Sequence, residues 1–137
     1  MKSRTRDQFF YLKYTLTHIA EIIGSASVVP GTEIEHLLLD SRKVYSPSSS
    51  LFFALSGPRR DGHQFIAELY KKGVRAFVVS EEQDAALYPN ANFIYVADTM
   101  NALQELAIYH RSRFTIPVIG ITGSNGKTIV KEWLNQL

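Results

Sequence analysis

The sequence contains no cysteine. That excludes a disulfide framework and any cysteine-based zinc site, and it fits a reducing compartment. No apolar stretch approaches the roughly 20 residues of a membrane-spanning helix. The opening MKSRTRDQFF lacks the apolar segment of a secretory signal, so a cytoplasmic location is expected. Net charge is scarce as well: it is only +2 at neutral pH, with the basic residues scattered along the chain. So small an imbalance gives no reason to expect a nucleic-acid partner. The densest basic group, Lys2, Arg4 and Arg6, lies in a polar leader read as a solvated tail over residues 1–14. There is no internal repeat and no low-complexity tract.

What is present is a chain of 137 residues, 45% hydrophobic and 20% charged, which suits a globular domain with a real core. Leu16, Ile19, Ala20, Ile22 and Ile23 fall at helical spacing, with Thr15 or Thr17 as the cap and Gly24 as the stop. IEHLLLD (34–40) and LFFAL (51–55) read as strands, separated by a serine-rich loop carrying Pro47. GPRRDG (57–62) is a second loop. A helix follows over 63–73, with Phe65, Ile66, Leu69 and Tyr70 on one face. Strands are expected at 75–80 and 93–97, then a long helix capped by Asp98 or Thr99. Pro117 precedes a further strand, VIGIT (118–122), and a helix starts near Lys127. This alternation predicts an α/β fold with a small, mainly parallel sheet flanked by helices. A boundary near Thr115 separates a first domain, 15–114, from the opening of a second, 115–137.

VIGITGSNGKT (118–128) has the chemistry of a phosphate loop. A strand that ends in a glycine-rich turn and opens a helix points backbone N–H groups and the helix dipole at an anion. Gly123 and Gly126 permit close approach, and Ser124 and Asn125 lie between them. Lys127 can reach outer phosphates, and the Thr128 hydroxyl can ligate magnesium. The spacing departs from G-x-x-x-x-G-K-[ST], because Ile121 stands where the first glycine would be. The bland alternative is a Gly-Asn turn before an ordinary helix. One strand and one helix cannot bury a sheet, so strong ATP binding by these residues alone is not expected.

TGSNGKT (122–128) resembles the ATP loop of the Mur ligases and of folylpolyglutamate synthetases. LDSRKV (39–44), SLFFALSGPRRDGHQF (50–65) and KKGVRAFVVS (71–80) resemble the uridine-nucleotide-binding first domain of the Mur ligases. RFTIPVIGITGSNGKTIVKEWL is similar to the D-alanyl-D-alanine-adding type, fusions to alanine racemase included. One departure is SPSSSLF, which stands where many relatives have P-G-x-L-F. The resemblance implies a three-domain amide ligase of peptidoglycan precursor synthesis, with the first domain and the opening of the ATP domain represented here. Its substrates would be UDP-N-acetylmuramoyl-tripeptide and D-alanyl-D-alanine, and its cofactors ATP and Mg2+. ATP would phosphorylate the substrate carboxylate, which the incoming amine then attacks. Lys127 would be catalytic, residues 123–128 would hold ATP, and Thr128 would hold the metal. The UDP-substrate set would be Asp40, Ser41, Arg42, Gly57, Asp61, Gly62, His63 and Gln64. A stand-alone uridine-nucleotide module without catalysis, or a related Mur or folylpolyglutamate-type ligase, is the alternative.

The residue chemistry leaves several roles open. Ser41 can exchange hydrogen bonds with a uracil edge, and Arg42 can clamp a phosphate. Asp40 and Arg42 can equally form a local ion pair. Asp61 is either a ligand or the cap of the next helix, and His63 is either a phosphate donor or a capping residue. Arg59 and Arg60 either attract an anion or sit in a solvated loop. His18, His36 and His110 have no partners at metal-ligand spacing and are read as structural. Trp133 and Leu134 are read as the packing face of the last helix.

Overall fold

The computed structural model describes residues 13–123 and 126–136. Strand β1 (Tyr14–Thr15) leads into helix α1 (Leu16–Ile22). β2 (Glu33–Ile34), β3 (His36–Leu38), β4 (Ser50–Phe53), β5 (Ser56–Gly57) and β6 (Arg60–Asp61) follow. Then come α2 (Ile66–Lys71), β7 (Ala76–Val79), β8 (Asn92–Tyr95), α3 (Thr99–Ser112) and α4 (Lys127–Asn135). Short 3₁₀ turns occupy Pro47–Ser49, Gly62–Phe65 and Ala85–Leu87.

The main sheet runs β3-β4-β7-β8, and every pair in it is parallel. Side chains alternate across a strand, so each strand serves two cores. Leu51, Phe53, Ala76, Val78 and Ile94 join Leu16, Ile19, Ala102 and Leu106 of α1 and α3 on one face. Phe52, Ala54, Phe77, Val79 and Phe93 join Ile66 and Leu69 of α2 on the other. A sheet covered on both faces needs apolar residues at consecutive positions, which is why β4 and β7 read as unbroken apolar runs. Phe77 bridges its neighbours, with ring centroids 6.4 Å from Phe52 and 5.4 Å from Phe93.

The helix signals are realised at atomic detail. The Thr15 hydroxyl accepts the His18 N–H at the start of α1, and Gly24 beyond its end takes φ +69°. The Asp98 carboxylate accepts the N–H groups of Met100 and Asn101 at the start of α3. His18 and His110 are held in the fold by Tyr109 and Tyr14, at 3.3 and 3.0 Å.

Five expectations are corrected. The segment 34–40 is two short strands, because Ile34 pairs with Tyr14 while His36 pairs with Ser50. Tyr14 therefore belongs to the fold rather than to a solvated leader. The helix expected from residue 63 opens as a 3₁₀ turn and becomes α-helical at Ile66. Residues 118–122 form no strand; Val118 and Ile119 are each 66% exposed. Among the described residues no strand pairs with them, and an extended segment with no neighbour has nowhere to place its backbone hydrogen bonds. The helix expected near Lys127 is present as α4, but none of its residues is buried, Trp133 and Leu134 included.

Candidate functional site

Because β3 and β4 are parallel neighbours, their carboxyl ends open on the same edge of the sheet. Ligands of open α/β sheets gather at that edge. The turn after β3 and the turn after β4 meet there around a cavity of about 530 Å³. Asp40, Ser41 and Arg42 line it from the first turn, and Leu55, Arg60, Gly62 and Gln64 from the second. Phe52 and Phe65 add apolar wall. Five of the eight residues expected for the UDP substrate are thus brought together: Asp40, Ser41, Arg42, Gly62 and Gln64.

The two turns are held in different ways. Asp40 and Arg42 form a two-pronged pair, Nε to Oδ1 at 2.9 Å and Nη2 to Oδ2 at 2.7 Å, and the Arg42 N–H also donates to Oδ1. Ser41, between them, is 7% exposed. Its carbonyl accepts from Lys72 Nζ at 2.9 Å, and Lys72 also pairs with Glu68. These bonds tie the first turn to α2. Gly62 ties the second turn down, donating its N–H to the Leu55 carbonyl at 2.8 Å. A Cβ at Gly62 would lie 2.7 Å from the Leu55 nitrogen, so only glycine fits.

Three expected ligands do not line this cavity. Asp61 caps the 3₁₀ turn, its Oδ1 accepting the His63 N–H at 3.0 Å and lying 2.6 Å from His63 Nδ1. The other ring nitrogen of His63 accepts the Ser80 N–H at 3.0 Å. With both nitrogens engaged inside the protein, His63 has none left for a phosphate. Gly57 lies in the β5–β6 hairpin and faces an outer groove with Met100. Arg60 enters the cavity, whereas Arg59 borders the outer groove. Glu81 brings a carboxylate oxygen within 4.8 Å of the ligand atoms of Asp61 and His63. Sequence spacing held no signal for that meeting, since β7 delivers Ser80 and Glu81 from a distant part of the chain.

Asp40 and Asp61 have lowered pKa values. Hydrogen bonds from the Arg42 side chain and backbone hold Asp40 well below the usual carboxylate range, and hydrogen bonds from the His63 side chain and backbone lower Asp61. A carboxylate whose pKa is lower folded than unfolded contributes stability above its unfolded pKa, and that contribution disappears as pH falls through the folded value. Thermal melts should therefore hold steady above about pH 4 and decline below it. Asp40→Asn should make that acid decline shallower.

At the other end of the chain, Gly123 takes φ +130° and Gly126 φ +78°, both positive. Gly126 is the N-cap of α4, and among the described residues no side chain caps that helix. Lys127 and Thr128 begin α4 and are exposed. Ser124 and Asn125 lie outside the described residues.

The family described as "Mur ligase family, catalytic domain" matches residues 33–111, which contain both turns and the whole main sheet. The chain belongs to the Mur ligase family. It is 39% identical over 113 residues to the UDP-N-acetylmuramoyl-tripeptide--D-alanyl-D-alanine ligase of Haemophilus influenzae, covering 82% of this chain and 23% of that one. A UDP-N-acetylmuramoyl-L-alanyl-D-glutamate--2,6-diaminopimelate ligase of Clostridioides difficile is 36% identical over 107 residues, covering 77% and 21%. A UDP-N-acetylmuramoylalanyl-D-glutamyl-2,6-diaminopimelate--D-alanyl-D-alanyl ligase from Acinetobacter baumannii superposes with a TM-score of 0.77 at 34% identity, covering 90% of this chain and 27% of that one. The chain thus spans about a quarter of the length of these Mur ligases. Among its described residues no helix is long and apolar enough to cross a membrane.

Proposed function

We propose that this chain is the uridine-nucleotide-binding part of an ATP-dependent Mur ligase that adds D-alanyl-D-alanine to UDP-N-acetylmuramoyl-tripeptide in the cytoplasm. The observation that carries this reading is the convergence of the Asp40–Arg42 turn and the Gly62 turn on one cavity, in a chain 39% identical to a ligase of that name. In this reading Ser41 faces the uracil edge, since among the described residues only its carbonyl is engaged. Arg42 and Arg60 supply positive charge for the diphosphate, and the Gly62 turn brings backbone close to it. Asp40 orients Arg42. Asp61 and His63 act through the loop they fasten, and Gly57 through the hairpin.

The residues at the start of α4 fit a triphosphate. Positive φ at Gly123 and Gly126 and the uncapped helix start leave backbone N–H groups for an anion, with Lys127 and Thr128 beside them. Ser124, Asn125, Lys127 and Thr128 would hold ATP, and Thr128 the magnesium ion. Bound ATP supplies the activation of the substrate carboxylate for amide formation.

Calorimetry on this chain tests the reading. UDP should bind, and Ser41→Ala should weaken binding by up to about tenfold, the worth of one hydrogen bond. Absence of UDP binding, or a Ser41→Ala variant that binds as the parent does, defeats it. Tighter binding of UDP-N-acetylmuramoyl-L-alanyl-D-glutamate than of the tripeptide form would move the assignment to the diaminopimelate-adding branch.

A further inference from the structure

We propose that His63 is the positioning residue of this site. It is a neutral clasp, protonated on Nδ1, that holds the β5–β6 hairpin over the cavity and does not itself touch the nucleotide. The proposal rests on the uridine reading for what the hairpin is held against, but its geometry stands independently.

A backbone N–H can only donate. The 3.0 Å contact from the Ser80 N–H therefore requires a lone pair on His63 Nε2. In a neutral ring the proton is then on Nδ1, where it donates to Asp61 Oδ1 at 2.6 Å. The same carboxylate oxygen accepts the His63 N–H at 3.0 Å, so ring, carboxylate and turn are mutually locked. The side chain is 5% exposed. Ser80 follows β7 directly, so the ring spans from the loop after β4 to the carboxyl end of the next strand.

The hairpin needs such a tie. It consists of two strands of two residues each, paired only as Ser56 with Asp61 and Gly57 with Arg60. An isolated ribbon that short is not stable in water. Asp61 is its last residue, and Arg60 and Gly62 on either side both line the cavity. A clasp on Asp61 thus fixes the two groups that reach the ligand from this turn. Glu81 stands beside the pair, and the ring's hydrogen bonds among the described residues go to Asp61 and Ser80.

Nitrogen NMR of the whole chain at neutral pH tests the inference directly. His63 should show the neutral, Nδ1-protonated tautomer, and saturating UDP should leave it unchanged. His63→Phe keeps the bulk and removes both nitrogens. It should weaken UDP binding about tenfold and speed hydrogen exchange at the amides of Gly57 to Gly62 while β4 and β7 stay protected. His63→Gln, whose amide oxygen can accept the Ser80 N–H, should recover part of both losses. An Nε2-protonated ring, a ring signal that shifts on adding UDP, or a His63→Phe variant that binds like the parent would overturn the proposal. If His63→Phe fails to fold, the parent's tautomer and its response to UDP still decide the matter. A parent chain with the expected tautomer and a protected hairpin but no UDP binding supports the clasp and defeats only the uridine reading.

Discussion

Replacing Phe52 by alanine is expected to cost about 3–5 kcal/mol of stability, the usual penalty for emptying a buried aromatic site. Phe52 is 1% exposed at the centre of the sheet and packs edge-to-face on Phe77. It also forms wall of the cavity between the two turns, so the lost ring leaves a void that opens on that cavity. At roughly 4 °C per kcal/mol for a domain of this size, the melting temperature should fall by about 12–20 °C. Leu37→Ala is the control, because Leu37 is on the edge strand and 46% exposed; its cost should stay near or below about 1 kcal/mol. Thermal or urea unfolding reads both. A Phe52→Ala loss no greater than that of Leu37→Ala would mean that the Phe52 ring is not packed as described.

Gly62→Ala should produce the second large loss. The added Cβ would lie 2.7, 2.8 and 2.9 Å from the Leu55 nitrogen, the Ala54 carbonyl carbon and the Ala54 Cα. All three are backbone atoms and cannot rotate aside, so the loop itself must move. Overpacking of this kind costs about 1–3 kcal/mol. The displacement also strikes the Gly62 N–H bond to Leu55, so UDP binding should weaken together with stability. Gly57→Ala separates this effect from any general sensitivity of the hairpin. A Cβ there meets nothing closer than the Arg60 carbonyl oxygen at 3.8 Å, and the variant should behave like the parent. Equal losses in the two variants would remove the close-approach argument.

Much of the fold was legible because the decisive signals are local. The runs LFFA and AFVV announce strands buried on both faces, and Asp98 announces the start of α3 by the chemistry of its own side chain. The turns that meet at the cavity were legible for the same reason: Asp40 to Arg42 follow the strand β3, and Gly62 to Gln64 lie in the loop between the apolar strand β4 and the helix α2. The errors are non-local. The split near Glu35 depends on Tyr14 and Ser50 competing for opposite ends of one apolar stretch. The absence of a strand at 118–122 goes with the lack of a pairing strand among the described residues, which no property of VIGIT itself reveals. The bonding of His63 was not legible because its two ring nitrogens meet one near neighbour and one distant one, and only the near one, Asp61, stands in the motif.

By itself, then, the sequence determined most of the alternation of helix and strand up to α3, the turns after β3 and β4, and the start of a helix at Lys127, since each is written in periodicity or in residue type over a few positions. Tertiary structure alone decided which side chains face the cavity and which are consumed in holding it. Parallel pairing carries Ser80 to the His63 ring and brings the turn bearing Arg42 and the loop bearing Arg60 to one cavity, and those meetings depend on strand register across the sheet, which no short stretch of sequence contains.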